Sequence, residues 1–436
     1  MTPLRLSIVA LFMEITMSTL TAAPALGPSI DAAAAKVEAS VITTRRDLHQ
    51  HPELGNRELR TAKIVADRLR ALDIEVQEKV AHTGVVGILR GGRPGKVVAL
   101  RADMDALPVT EQVDLPFASK VRTEYNGQEV GVMHACGHDA HVAILLGVAE
   151  ILSGMRKDLP GTVKFIFQPA EEGAPQGEEG GAGLMVKEGV LDNPKVDAIF
   201  GLHVTSRYAS GEIAYRPEGM MAAVDSFRIV VRGKQTHGAY PWLGVDPIVV
   251  ASQIVLGLQT IPSRQLDSTL APSIVTVGAI HGGVRNNIIP DQVEMIGTIR
   301  SLDAKMRDDI HTRIRRTAES IATAAGATAN VEITTGYPIT YNDPALTEKS
   351  LASLRKASKN VRLVNAVLGA EDFSFFQQQV PGLFFWVGTR PPNQTPEEAP
   401  SNHSPLFYVD ESGLAFGLRA LAHVAVDYLN GNATRP

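Results

Sequence analysis

The run Met133-His134-Ala135-Cys136-Gly137-His138-Asp139-Ala140-His141 constrains this chain more than any other stretch. One thiol, three imidazoles and a carboxylate fall within nine residues. Folding so many polar groups together is costly unless something binds them, and a metal ion is the simplest account. Cys136 and His138 are two apart, so in an extended segment their side chains share one side, with Gly137 allowing close approach. Val142, Leu145, Val148, Ala149 and Leu152 then recur at helical spacing, with Asp139 placed to cap. The spacing predicts ligands where a loop enters a helix whose N-terminal dipole favours Cys136 as a thiolate. A structural zinc site brings a second Cys or His pair at short spacing, and none follows, so the run reads as catalytic metal.

Further ligand-type side chains arrive in a repeated context. An apolar strand at Val97 to Leu100 runs into Asp103 and Asp105, and another at Val163 to Gln168 runs into Glu171 and Glu172. A third, Ala198 to Leu202, ends at His203, and His403 sits in a polar loop after the strand Leu383 to Val387. The carboxyl edge of an open α/β sheet is where such folds place their sites. Adjacent glutamates repel unless a cation is near, so one can ligate while the other serves as a base. Cys136, His138, Glu172, His203 and His403 thus form a mixed sulfur, nitrogen and oxygen set. Five ligands exceed one tetrahedral site, which predicts two metals sharing a bridging ligand, with Glu171 left over as base. His49 and His51 flank a helix stop marked by Pro52 and Gly55, and read as a structural connector.

At 436 residues the chain has room for two domains. Residues 31–50 and 57–72 read as amphipathic helices. From about Met220 the pattern becomes β-α-β-β-α-β, the split ferredoxin-like unit. It reads as an insertion, residues 220–336, between two parts of a catalytic domain, residues 30–219 and 337–432. A net charge of −5 offers no basic face for nucleic acid, and a single cysteine excludes an internal disulfide. Residues 1–25 read as a signal peptide: Arg5, an apolar run from Leu6 to Leu20, then small residues to Ala25. A periplasmic or secreted protein follows, with a cytoplasmic one as the alternative. Glu14 interrupts the run, which is too short to stay in a membrane after processing.

The runs RADMDALPV, MHACGHDAH, QPAEEG, FGLHV, HGAYP, NIIPD, GAEDFSFF and NHSP, in that order over residues 38–430, resemble the amidohydrolase branch of the aminoacylase/carboxypeptidase metallopeptidase family. That branch includes auxin-amino-acid conjugate hydrolases and hippurate hydrolases. The resemblance implies an α/β catalytic domain, with a central mixed sheet flanked by helices, interrupted by a ferredoxin-like α+β lid that also mediates dimerisation. It implies Cys136, His138, Glu172, His203 and His403 as ligands of two divalent ions (zinc, manganese, cobalt or nickel) and Glu171 as general base. His237 matches a lid histidine that reaches a neighbouring subunit's site and steadies the tetrahedral oxyanion, while Asn287 and Arg300 resemble lid positions that contact the substrate carboxylate. Asp103 stands where other branches carry a histidine ligand, a function Cys136 replaces here, and Asp105 orients a ligand. The loop from Ala174 to Glu179 is longer than the compact family pattern. The implied activity is hydrolysis of an N-acyl amino acid or similar small amide by a homodimer or homotetramer. A metallo-dipeptidase or carboxypeptidase is the alternative, and a non-catalytic metal-dependent binding protein, for which Glu171 has no use, is a third.

Overall fold

The structure is a computed structural model and describes residues 26–431; the leader-like segment lies outside the described residues. Among them, no helix is long and apolar enough to cross a membrane.

Eight strands form one sheet in the order Glu75–Val80, Gly84–Arg90, Pro160–Gln168, Arg93–Asp103, Ala198–Ala209, Gly382–Arg390, Glu212–Tyr215 and Asn360–Leu363. The middle four run parallel to one another, and antiparallel pairings flank them on both sides. Parallel strands are stable only where both faces are covered, and side chains one residue apart leave on opposite faces. Leu100, Phe165, Phe200 and Phe385 accordingly enter one core, and their neighbours Ala99, Ile166, Ile199 and Phe384 the other. Helices Gly27–Gln50, His138–Gly154 and Leu414–Leu429 cover the first face. His138–Gly154 is buried nearly all round rather than amphipathic. With each buried Leu or Ile contributing about 1.5–3 kcal/mol, its first turn is fixed firmly in place.

The register aligns the site. Asp103 lies opposite Gln168, Arg101 opposite Gly201, and His203 opposite Trp386. The strand carrying His203 does not end there, as its sequence suggests, but continues to Ala209. Pairing with Gly382–Arg390 sustains it to that residue, whereas its pairing with the strand ending at Asp103 stops at Gly201.

A second sheet, of four antiparallel strands, has the order Ser273–Gly282, Gln292–Ser301, Ala223–Arg232, Thr328–Thr335. Helices Pro247–Thr260 and Ala304–Ala324 pack on it around Ile229, Ile254, Met295 and Ile310. The chain before and after this unit belongs to the eight-stranded sheet. Sequence patterning misses the strand Glu75–Val80 because this edge strand has no buried residue, and therefore no apolar alternation.

Candidate metal centre

Cys136 and His138 converge, but not along an extended segment. His138 opens the helix His138–Gly154, and Gly137 before it adopts φ +88°, the left-handed turn that brings the two side chains together. A Cβ on Gly137 would lie 2.4 Å from Val204 Cγ2, so any other residue would collide as well as strain the backbone. Asp139 does not cap the helix. Its carboxylate instead lies 2.8 Å from His49 Nδ1 and 2.8 Å from Arg45 Nε, a buried network that ties the helix start to Gly27–Gln50. His49 is thereby structural.

The five sequence-predicted ligands meet at the carboxyl edge of the parallel strands. Cys136 Sγ lies 3.3 Å from His203 Nε2 and 3.2 Å from His403 Nε2, and His403 Nε2 lies 2.9 Å from Glu172 Oε1. Five donor groups among the described residues are compact enough for an ion: Cys136 with His138 and His203, Cys136 with Glu172 and His403, His138 with Glu171 and Glu172, and two that include Asp103, with His138 and His141 or with Glu171 and Glu371. The first two share Cys136, so its thiol is common to both candidate donor groups. His203 Nδ1 is 2.7 Å from the Val204 carbonyl and can donate to it, which leaves Nε2 as a lone pair facing the thiol. His138 Nδ1 is 3.3 Å from Asp105 Oδ1, and its Nε2 is buried with no hydrogen-bond partner among the described residues. Such an orphan is what a metal ligand looks like before its ion is counted. His141, by contrast, has both nitrogens engaged, by Asp103 at 2.5 Å and the Val204 amide at 2.9 Å, and is a strut.

Electrostatics agree that the site wants positive charge. Burial, and then the carboxylates of Glu172, Glu171 and Asp103, push the Cys136 thiol up, which overrides any help from the helix dipole. A thiolate here needs a cation. Burial and the charges of Glu371, Glu172, Asp372 and Asp103 raise Glu171 well above the usual carboxylate range. Burial and the neighbouring His141 hold His203 neutral, as a ligand requires. Burial opposes charge on His138, but Asp103 and Asp105 outweigh it and push the imidazole up to about 10.

A model of the peptidase family M20/M25/M40 matches residues 99–427. The chain belongs to this family. Similar proteins include thermostable carboxypeptidase 2 of Saccharolobus solfataricus, 45% identical over 91% of this chain and 97% of that one. N-acetylcysteine deacetylase of Bacillus subtilis is 40% identical over 88% and 96%. A crystal structure of a Bacillus subtilis dinuclear metal binding peptidase from the M20 family is 37% identical, with a TM-score of 0.76 over 91% of this chain and 99% of that chain. This M20 chain is thus a metal-dependent hydrolase of amide or peptide bonds.

Of the remaining predicted residues of the M20 chain, Asp105 touches the cluster, whereas His237, Asn287 and Arg300 line neither cavity beside it. A cavity of about 490 Å³ beside Asp105 and Glu172 and one of about 480 Å³ containing Cys136, Glu171, His203 and His403 flank the centre. His237 is exposed on the second sheet's unit and lines neither cavity; the Asn287 carbonyl accepts from the Gly238 amide beside it. The Arg300 guanidinium donates to the Leu368 carbonyl, 3.1 Å away, at the cavity rim. Asp105 bridges two parts of the centre, accepting the Glu172 amide at 2.9 Å while facing His138.

Sequence reasoning missed several supports. Arg101, fully buried, pairs with Asp103, Glu371 and Asp372 and neutralises part of the acidic floor. Asn402 Nδ2 donates to the Cys136 and Val204 carbonyls at 3.2 and 3.1 Å, seating the loop on which His403 sits at φ +70°. Tyr337 donates to the Glu171 carbonyl at 2.7 Å. Glu58 accepts the Ala170 amide at 2.9 Å and is held by Thr83 at 2.5 Å. Arg101 and Asn402 lie in the RADMDALPV and NHSP runs and Glu371 and Asp372 in GAEDFSFF, although those runs do not say what the side chains touch; Glu58 and Tyr337 sit among ordinary residues with no local pattern.

Proposed function

We propose that this enzyme hydrolyses the amide bond of N-acyl amino acids, using Glu171 as general base beside two divalent cations held by Cys136, His138, Glu172, His203 and His403. The observation that carries the reading is the pair of donor groups joined at Cys136, with Glu171 Oε2 3.9 Å from His138 Nε2 at their edge. When bound, the cations lower the pKa of a water and polarise the amide carbonyl. Glu171, buried and with a raised proton affinity, takes the proton of the attacking water and returns it to the leaving amine. Asp105 fixes the tautomer of His138 and Tyr337 fixes the Glu171 backbone, so neither group needs to reorganise during the reaction. Zinc, manganese, cobalt and nickel all suit this donor mixture.

In this reading residues 220–336 act as lid and dimer contact, and residues 30–219 with 337–432 as catalytic domain. The exposure of His237 suits a role in a neighbouring subunit's site within a homodimer or homotetramer, and Asn287 and Arg300 are assigned to the substrate. The leader-like residues 1–25 support export. A second reading, a dipeptidase or carboxypeptidase, is favoured by the similarity to the Saccharolobus carboxypeptidase. Elemental analysis of the purified enzyme, combined with a panel of N-acyl amino acids against dipeptides, tests both. Two ions per subunit and turnover of the acyl-amino acids are expected; turnover of dipeptides alone would reverse the order of the readings.

A further inference from the structure

Both readings require a free carboxylate on the substrate, and the cavity that holds the ligands is hostile to one. Glu171, Glu172 and Glu371 all line it. In the proposed function the ions held here serve the water and the amide, so a substrate carboxylate needs a cation of its own beyond this floor. Arg300, assigned above to the substrate, already donates through Nε and Nη1 to the Leu368 and Ile299 carbonyls and to Thr298, so little of its guanidinium is left for a carboxylate. Arg207 is different. It is the one Lys or Arg among the residues lining this cavity, is exposed to it, and makes no side-chain hydrogen bond or ion pair to any described residue. Its place is set by the same strand that supplies His203: His203, Thr205 and Arg207 all line the cavity, although the strand's register against Gly382–Arg390 shifts between Thr205 and Ala209. Four residues of strand span roughly 13 Å, a distance that a long arginine side chain is able to shorten.

We infer that Arg207 is a specificity-determining residue that binds the substrate carboxylate at the mouth of the metal cavity. This rests on the proposed function, since it names what holds one end of that substrate. A planar guanidinium offers paired donors that match a carboxylate, and it is always charged. The polar end is then anchored at the rim while the amide lies over the ligands.

The test compares the best N-acyl amino acid from the panel with its carboxamide, which lacks the charge, in the metal-loaded wild type, Arg207→Gln and Arg207→Lys. Arg207→Gln raises KM for the carboxylate about 10- to 100-fold, with kcat nearly unmoved, and leaves KM for the carboxamide as in the wild type. Arg207→Lys recovers part of the loss. Equal shifts for both substrates, or no shift in either, would overturn the assignment. If the wild type turns over no N-acyl amino acid, the proposed function fails instead. The same pair is then compared with the peptide substrate and its C-terminal amide, where the identical outcomes decide Arg207.

Discussion

A carboxylate oxygen of Glu58 accepts the backbone amide of Ala170 at 2.9 Å, one residue before the Glu171–Glu172 pair. Ala170 has φ +50°, a conformation disfavoured for a residue with a Cβ, and this bond helps hold it. The strained residue immediately precedes the proposed base and the proposed ligand. Glu58→Ala is expected to cost about 2–3 kcal/mol in denaturant unfolding by orphaning the amide, and to lower kcat. Glu58→Gln, which keeps an acceptor for Ala170, should retain most of both.

Glu58 also makes stability depend on pH. Burial, and then the charge of Asp105, push its carboxyl up to about 8. The folded state therefore prefers it protonated, so its contribution is fully present below the unfolded pKa and lost as pH rises through about 8. Urea titrations between pH 5 and 9 should show stability falling more in the wild type than in Glu58→Gln. Identical slopes would remove the assignment.

Glu171→Gln should lower kcat by about 10²- to 10⁴-fold while elemental analysis still finds the wild-type metal content. Loss of metal together with activity would mean that Glu171 is a ligand and the base lies elsewhere.

His403 belongs to only one of the two groups joined at Cys136. His403→Ala is expected to reduce bound metal from two ions to one per subunit, and Cys136→Ala to reduce it further. Retention of two ions by either variant would separate that residue from the centre.

In the second sheet's unit, Asp225 is buried against Arg307 at 2.8 Å, His311 at 2.6 Å and the Gly336 amide at 3.0 Å. Burial alone would raise its pKa, but the hydrogen bonds from Arg307 and His311 hold it well below the usual range. A depressed carboxylate stabilises above its unfolded pKa and loses that contribution as pH falls toward the folded one. Asp225→Ala should cost about 3 kcal/mol at neutral pH by leaving Arg307 uncompensated, and progressively less as pH falls below about 4. A loss that is independent of pH would point to packing rather than charge.

The amino-acid sequence by itself determined the kinds of donor and the order in which they arrive. Cys136, His138, Glu172, His203 and His403 are legible because each departs from its surroundings: a dense polar run, or a charged side chain closing an apolar strand. The β-α-β-β-α-β order is legible because hydrophobic period is a local property. Only the tertiary structure decided which groups meet. Glu58 and Tyr337 sit in unremarkable segments, while Arg101 and Asn402 lie in recognisable runs that do not reveal what they touch; the partners of the four lie 112, 166, 2 and 270, and 266 residues away along the chain. Asp139 reads as a cap and is a buried ion-pair partner; His203 reads as a strand end and is a strand interior. In each case a neighbour distant in sequence supplies the deciding hydrogen bond, charge or strand pairing, and no pattern within one segment encodes a contact made by another.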